Sequence, residues 1–305
     1  MTKRQRIFPL SLLVKAGKKM KTVIITGANT GLGFETAKHI ARKGGYNIIL
    51  ACRNMEKAEE AKEQIIKDTG NTSVCTMLLD TSSLQSVRGF VEEFKQMNVK
   101  LDCLICNAGI SPAHSGTTAD GFELVFATNH IGHFLLVNLL LPYMSEKGRI
   151  INVTSDMHNP PGGLEWKDPD LLAYADGSDR KKYSYSKLAN IYFTHELADR
   201  MKKANSEITV NAFNPGMMDT NFHGDINYVE REATVKQIMP HRVGDLAKSS
   251  AALAEVATSG EFDGVTGKFF DRSTKYVPSS ELSYNEKNRI DLWNKSMKWV
   301  GLDKK

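Results

Sequence analysis

Residues 21–43 read KTVIITGANTGLGFETAKHIARK, an order that predicts a strand, a glycine-rich turn and a helix. The β-branched run that follows Lys21 is typical of a buried strand. Gly27, Gly31 and Gly33 then open a predicted helix over 31–43. Glycines permit a tight turn and let the backbone approach a pyrophosphate, which the helix N-terminus favours. The segment therefore predicts a dinucleotide site at the first turn of an α/β sheet.

Strands and helices alternate along the rest of the chain. Alternation of this kind predicts a single-domain, Rossmann-type, doubly wound parallel sheet with helices on both faces. The next helix is predicted over 55–67. The seven predicted strands lie at 21–26, 46–52, 73–79, 101–106, 148–155, 208–215 and 267–271.

Two connections, 156–182 and 217–241, are too long for ordinary strand–helix links. Both follow the carboxyl end of a predicted strand, where open parallel sheets bind their ligands. We therefore expect them to be substrate loops or lids.

Composition narrows the class of protein. The chain has 305 residues, 41% of them hydrophobic, and a net charge of +5, which does not indicate a nucleic-acid partner. Its four cysteines fall in apolar runs, so a reducing compartment, the cytoplasm, is expected. Cys103 and Cys106 are three positions apart on a predicted strand and should point to opposite faces. We therefore expect a structural role for this pair, not a redox or zinc site.

Residues 1–19 form a basic extension around the short apolar run 7–14. A bilayer span needs about 20 apolar residues, so no transmembrane anchor is expected here. Met20 resembles a natural start, and 20–305 is predicted to form the single dinucleotide-binding domain. A disordered extension is the simpler interpretation of 1–19, and peripheral membrane contact is the alternative.

Arg53 stands at the end of the second strand, twenty residues beyond Gly33. An NAD site places an acidic residue there to hold the ribose 2′-hydroxyl. An arginine can instead bind a 2′-phosphate in a bidentate manner, with Lys57 assisting. The sequence therefore predicts NADP(H) as the cofactor, and a solvated arginine at a strand end is the alternative.

Tyr183 and Lys187 are four residues apart on a predicted helix, so they share one face, whereas Tyr185 points elsewhere. A tyrosine beside a cation can exchange a proton with a carbonyl oxygen during hydride transfer. The motif alone also fits an ordinary surface tyrosine and lysine. The chemical interpretation depends on the other motifs.

Taken together, six motifs resemble the short-chain dehydrogenase/reductase family over 21–302. They are the TG-x-x-x-G-x-G turn from Thr26, NAG at 107–109, Asn129 in FATNHIGHF, Ser155 closing INVTS, Tyr183-x-x-x-Lys187, and NPG at 214–216. LACRN, YSKLAN and the tail DLWNKSMKWVGL are similar to the retinol-dehydrogenase-like branch, which also contains light-dependent protochlorophyllide reductase.

The resemblance implies a role for each matching residue. Ser155 would bind the substrate oxygen, Tyr183 would be the acid/base, and Lys187 would hold the nicotinamide ribose and depress the tyrosine pKa. Asn129 would support a proton-relaying water. The implied cofactor contacts are Gly27, Asn29, Thr30, Gly31, Leu32, Gly33, Arg53, Asp80, Thr81, Asn107, Ala108, Gly109, Tyr183, Lys187, Pro215, Gly216 and Met217.

Other residues receive structural interpretations. His130 and His133 have no third ligand at matching spacing, so packing or support is expected and no metal. Near-helical spacing of apolar residues in the tail predicts a core or subunit face formed by Leu292, Trp293, Met297 and Val300. The resemblance also implies a homodimer or homotetramer.

We therefore expect an NADP(H)-dependent oxidoreductase acting on a carbonyl or alcohol of a lipophilic or aromatic small molecule. Two alternatives remain open at this point. One is a protochlorophyllide-type reductase of a ring double bond. The other is a catalytically idle NADP-sensing module, because fold does not fix function.

Overall fold

A single mixed sheet organises the molecule. The structure, a computed structural model, describes residues 20–111, 113–176, 178–218, 236–237 and 239–303. Within them eight strands lie in the order β3-β2-β1-β4-β5-β6-β7-β8. They are β1 (Lys21–Thr26), β2 (Tyr46–Cys52), β3 (Val74–Leu78), β4 (Leu101–Cys106), β5 (Met144–Val153), β6 (Thr209–Asn214), β7 (Phe269–Asp271) and β8 (Tyr276–Val277). The doubly wound Rossmann-type α/β prediction is confirmed.

The seven predicted parallel strands are present, but the sheet contains one strand more than predicted. Strands β1 to β7 pair in parallel, but Tyr276 and Val277 add an eighth strand that runs antiparallel to β7. A turn after Asp271 reverses the chain, with Asp271 N–H donating to the Lys275 carbonyl at 3.2 Å. Two residues are too few to show the alternation by which a strand is recognised.

Helices cover both faces of the sheet. A π-helical turn (Ala127–Ile131) joins α4 to α5, so that these segments run on as one helix. The helices are α1 (Gly31–Lys43), α2 (Met55–Thr69), α3 (Leu84–Gln96), α4 (Leu124–Phe126), α5 (Gly132–Leu140), α6 (Pro169–Ala173), α7 (Lys182–Lys203), α8 (Leu246–Thr258) and α9 (Glu286–Trp299).

Two apolar clusters form the core, one on each face of the sheet. Cys106 belongs to the cluster that contains α5 and α7, whereas Cys103 belongs to the cluster that contains α1 and α8. The predicted opposite orientation of these cysteines is therefore confirmed. Leu292 and Trp293 of α9 are buried in the first cluster together with Val300, and Met297 packs against it. The C-terminal apolar residues are core residues.

The stretch Leu124–Tyr143 is long and apolar enough to cross a membrane, with a mean hydropathy of 1.6. However, 78% of its most apolar window is buried inside the fold, as in the core helix of a water-soluble protein. Residues 1–19, with the predicted extension or membrane contact, lie outside the described residues.

Both predicted substrate loops follow carboxyl ends of strands. The first, 156–182, contains a short turn at Asp156–His158 and helix α6. Most of the second, 217–241, lies outside the described part of the chain. The strand order changes direction between β1 and β4, which in such sheets creates a crevice at their carboxyl ends. The first loop and the described start of the second both leave this edge of the sheet.

Candidate active site

Thr26 ties the end of β1 to the end of β4. Its hydroxyl oxygen accepts hydrogen bonds from the N–H groups of Asn107 and Ala108, both at 2.8 Å. The Asn107 side chain donates in return to the carbonyls of Thr26 at 2.8 Å and Gly27 at 3.2 Å. A methyl group on Gly33 would lie 2.6 Å from Asn107 Nδ2. The glycine turn and the NAG segment therefore form one tightly packed cradle.

The N-terminus of α1 has no side-chain cap. Thr30 has an extended backbone and makes no capping hydrogen bond, and the first turn holds no acidic residue. By contrast, Asn54 caps α2 and Ser83 caps α3. Gly31 adopts a φ of 58°, a conformation that glycine adopts without strain. An uncapped helix N-terminus next to a glycine turn fits the pyrophosphate of a dinucleotide.

Arg53 follows β2 directly and is exposed. Its guanidinium makes no ion pair or hydrogen bond with the described residues, and Lys57 lies exposed in the first turn of α2. Two cations are thus placed beside the ribose end of the predicted dinucleotide path.

Four further residues predicted to bind the cofactor lie at the carboxyl ends of β1 and β3. Asn29 is half-buried in the glycine turn and Leu32 is buried in α1. Thr81 is buried, and Asp80 Oδ1 accepts hydrogen bonds from the N–H and hydroxyl of Ser82 at 2.9 and 2.6 Å. The Asp80 carboxylate therefore organises the turn that leads into α3.

The NPG segment after β6 is held from both sides. Gly216 N–H donates to Asn214 Oδ1 at 3.0 Å, and the Ser249 hydroxyl of α8 donates to the Pro215 carbonyl at 2.9 Å. Met217 forms a parallel bridge to Val243. These contacts fix the backbone of the predicted nicotinamide end of the site.

Tyr183 and Lys187 lie together on α7. Lys187 Nζ is 5.3 Å from the centre of the Tyr183 ring, and Tyr183 is half-buried. Tyr185 is only 3% exposed, and its ring lies 5.2 Å from Lys167 Nζ in the first substrate loop. The helix therefore points Tyr183 toward the predicted site and Tyr185 away from it.

Lys187 is a buried cation. Its side chain donates to the Val153 carbonyl at 3.3 Å, and the residue is 4% exposed. A methyl group on Gly109 would lie 3.7 Å from Lys187 Nζ and 3.1 Å from Asn129 Oδ1. Burial lowers the pKa of Lys187 to about 8, because desolvation disfavours the charged form.

Asn129 sits in the π-helical turn and holds the segment after NAG. Its Oδ1 accepts from Ile110 N–H at 2.8 Å, and its Nδ2 donates to the Ile110 carbonyl and to the Ser186 hydroxyl. Asn190 of α7 donates to the Asn129 carbonyl at 3.1 Å. The π turn thus connects the end of β4 with α7, in keeping with the frequent occurrence of π turns at functional sites.

His133 links this turn to the cofactor cradle. Its Nδ1 donates to the Asn129 carbonyl at 3.2 Å, and its Nε2 faces the Thr26 hydroxyl at 2.9 Å. His130 Nδ1 contacts Asn190 Oδ1 at 3.2 Å. Burial lowers the pKa of both histidines to about 4, so both are neutral at physiological pH. No cluster of three potential metal ligands occurs in the described residues.

Ser155 follows β5 in an extended conformation, and its Oγ accepts from Met157 N–H at 3.2 Å. The neighbouring Thr154 hydroxyl donates to the Lys187 carbonyl at 2.8 Å. The turn after Ser155 packs against α7. Strand β5 and helix α7 therefore bring the predicted serine to the same edge as Tyr183.

The structure places all of the predicted catalytic residues on elements that converge at this edge. Thr26 and Asn190, which connect the others, were not predicted as site residues, and His133 was predicted only to pack or to support. The sequence contains a signal for such connecting residues, because each is a polar residue within a run that proves to be buried. A polar residue in such a run needs a hydrogen-bond partner.

The burial of Lys187 should make the fold less stable at neutral pH. A pKa of about 8, compared with 10.5, means that the unfolded state binds more protons between these values. Stability should therefore rise with pH over this window. Lys187→Met should raise the free energy of unfolding at pH 7 by about 3 kcal/mol, and this gain should vanish above pH 10.5. Urea unfolding of both proteins at pH 7, 9 and 10.5 checks this; a less stable variant at pH 7 would contradict it.

Comparison with known proteins agrees with the fold. The short chain dehydrogenase family model matches residues 21–164. Retinol dehydrogenase 13 from Homo sapiens is 39% identical over 93% of this chain and 85% of its own length. Short-chain dehydrogenase TIC 32 B, chloroplastic, from Brassica napus is 34% identical over 92% of this chain and 89% of its own.

A solved structure of an uncharacterised Mycobacterium paratuberculosis protein has a TM-score of 0.71 and 31% identity, covering 92% of this chain and 93% of that one. The fold, the order of the motifs and the similarity to proteins over almost the whole chain agree. The chain belongs to the short-chain dehydrogenase/reductase family of oxidoreductases and resembles its retinol dehydrogenases.

Proposed function

We propose that the protein is an NADP(H)-dependent oxidoreductase that transfers a hydride between the nicotinamide and a carbonyl or alcohol group. The observation that carries this proposal is the buried Lys187 beneath the Tyr183 ring, at the end of the crevice that begins with the glycine turn. A tyrosine beside a desolvated cation is suited to proton exchange with a carbonyl oxygen.

The residues of the crevice fit a dinucleotide. The glycines of the first turn would let the backbone approach a pyrophosphate, and the uncapped start of α1 would face its charge. When bound, the nicotinamide supplies or accepts the hydride. Arg53 supports NADP(H), because a free guanidinium at the end of β2 suits a 2′-phosphate.

Proton transfer is assigned to Tyr183. In reduction the neutral phenol donates its proton to the developing alkoxide. In oxidation the phenolate must form, and bringing its pKa from about 10 to neutrality takes roughly 4 kcal/mol. Lys187 contributes through its charge, which is poorly screened in a buried site. Ser155 would donate a hydrogen bond to the substrate oxygen and orient it.

A lipophilic substrate is proposed from the relatives and the size of the loops. Retinol dehydrogenase 13, by its name, acts on an apolar alcohol. The connection 156–182, which begins directly after Ser155, carries the exposed apolar side chains Leu171 and Tyr174. A catalytically idle NADP-sensing module would not need the buried Lys187. The geometry therefore favours an enzyme over such a module.

Tyr183→Phe should lower turnover of NADPH with retinal by about 10²- to 10⁴-fold, the usual contribution of a general acid. The affinity for NADPH should change less than threefold, because the ring and its packing remain. Tyr185→Phe is the matched control on the same helix and should keep turnover within threefold. Steady-state NADPH oxidation provides the measurement, and an undiminished rate in Tyr183→Phe would remove Tyr183 from the mechanism.

Arg53→Ala should weaken NADPH binding by about 10- to 100-fold, the loss expected for a charge-assisted bidentate contact. NADH affinity should be unchanged because NADH lacks the 2′-phosphate. Arg42→Ala, which removes an exposed arginine near the end of α1, is the control. Titration followed by nicotinamide fluorescence measures both affinities. Equal losses for the two nucleotides would show that Arg53 does not read the phosphate.

A further inference from the structure

Arg272 has an unusual backbone conformation. Its φ is 54°, in the left-handed region that L-residues other than asparagine and aspartate rarely adopt. It lies in the turn between β7 and β8, where its N–H donates to the Asn214 carbonyl at 2.7 Å. Glycine would satisfy such a turn without strain. The turn therefore explains the conformation but not the choice of arginine.

The guanidinium of Arg272 holds two carboxylates. Nη1 lies 2.7 Å from Asp156 Oδ2 and Nη2 lies 2.5 Å from Asp271 Oδ2. The side chain of Asn214 donates to the other oxygen of each aspartate at 2.8 Å. Burial raises the pKa of Asp156, and the charge of Arg272 opposes this rise. Arg272 and Asn214 thus share both carboxylates in one closed network, the Arg272 clamp.

The clamp reaches both sides of the candidate site. Asp156 directly follows Ser155 and begins the turn whose Met157 N–H donates to Ser155 Oγ. His158 N–H and Nδ1 both donate to the Ser155 carbonyl, at 3.0 and 2.8 Å. On the other side, Asn214 Oδ1 accepts from Gly216 N–H in the NPG segment. The Ser155 hydroxyl and the NPG backbone are therefore fixed through the same four side chains.

We infer that Arg272 is a positioning residue that fixes the Ser155 hydroxyl for the reaction by anchoring Asp156 at the start of the first substrate loop. A strained backbone persists where the surrounding structure compensates it, and such residues cluster at functional sites. The compensation here is the two-carboxylate contact, in which each aspartate meets a separate nitrogen of the planar guanidinium. The role in catalysis rests on the proposed function, whereas the anchoring of the turn does not.

Arg272→Gly is the sharpest variant, because it removes the guanidinium and relieves the backbone strain together. We expect kcat for NADPH-dependent reduction of retinal to fall at least tenfold while the Kd for NADPH changes less than threefold. Arg272→Ala should lose kcat similarly but melt about 2 °C lower than Arg272→Gly, since alanine keeps the strain. If kcat were lower in Arg272→Ala than in Arg272→Gly, in step with the lower melting temperature, the role of Arg272 would be merely structural and the inference would be overturned.

Amide hydrogen exchange of 155–158 tests the clamp without any substrate. Exchange at Met157 and His158 should accelerate at least tenfold in Arg272→Gly, because both N–H groups bond to Ser155. Unchanged exchange there would overturn the inference. If exchange is faster in Arg272→Gly but the wild-type protein reduces no carbonyl, the anchoring of the turn is supported and the proposed function fails.

Two controls separate the clamp from general effects. Arg149 is a buried arginine that contacts Asp263 and two carbonyls toward the other end of β5, so Arg149→Ala should destabilise the fold yet keep kcat within threefold. Asn205 also has a positive φ, of 52°, and Asn205→Gly should leave both kcat and exchange at 155–158 unchanged. A tenfold loss of kcat in either control would show that the Arg272 result is not specific and would overturn the inference.

Discussion

The site depends on one buried charge, the ammonium group of Lys187. Within the described residues no carboxylate pairs with it, and desolvation alone lowers its pKa to about 8. A buried charge without a counter-charge is costly in a protein interior, and groups of this kind cluster at functional sites. Strand β5 supplies the Val153 carbonyl, the π turn supplies Asn129 nearby, and α7 sets the distance to Tyr183. The fold keeps this cation beside the phenol, where its field is strong.

The two buried histidines near Lys187 add no positive charge. His130 and His133 remain neutral because burial lowers the pKa of each to about 4. As neutral groups, His133 can link the Thr26 hydroxyl to the Asn129 carbonyl, and His130 can link the Ser296 hydroxyl to Asn190 Oδ1. His133 therefore connects the cofactor cradle to the π turn without adding a positive charge.

The sequence predicted the first half of the fold closely. Strand β1 and helix α1 were placed at their observed bounds, because β-branched residues, three glycines and helical periodicity agree locally. The relation of Tyr183 to Lys187 followed from helix geometry alone. Helix α2 was predicted to end at Lys67 and runs to Thr69, since Gly70 in the left-handed conformation ends it.

The remaining features depend on contacts between distant segments. Strand β8 has two residues and exists only because a turn folds it back on β7. Arg272 in the sequence resembles any surface arginine, and its role becomes visible only when Asp156, 116 positions away, is seen at 2.7 Å. The π turn around Asn129 has no recognised local signal either. Such features require the tertiary structure because the interacting residues are far apart in sequence.

The central claim is that Lys187 lowers the pKa of Tyr183. An absorbance titration of the phenolate bands tests it directly and needs no substrate. Among the nine tyrosines of the wild-type chain, one should ionise below the ordinary pKa of about 10. That step should be absent in Tyr183→Phe and should move to higher pH in Lys187→Met. Titration curves of wild type and Tyr183→Phe that coincide at every pH below 10 would contradict the account.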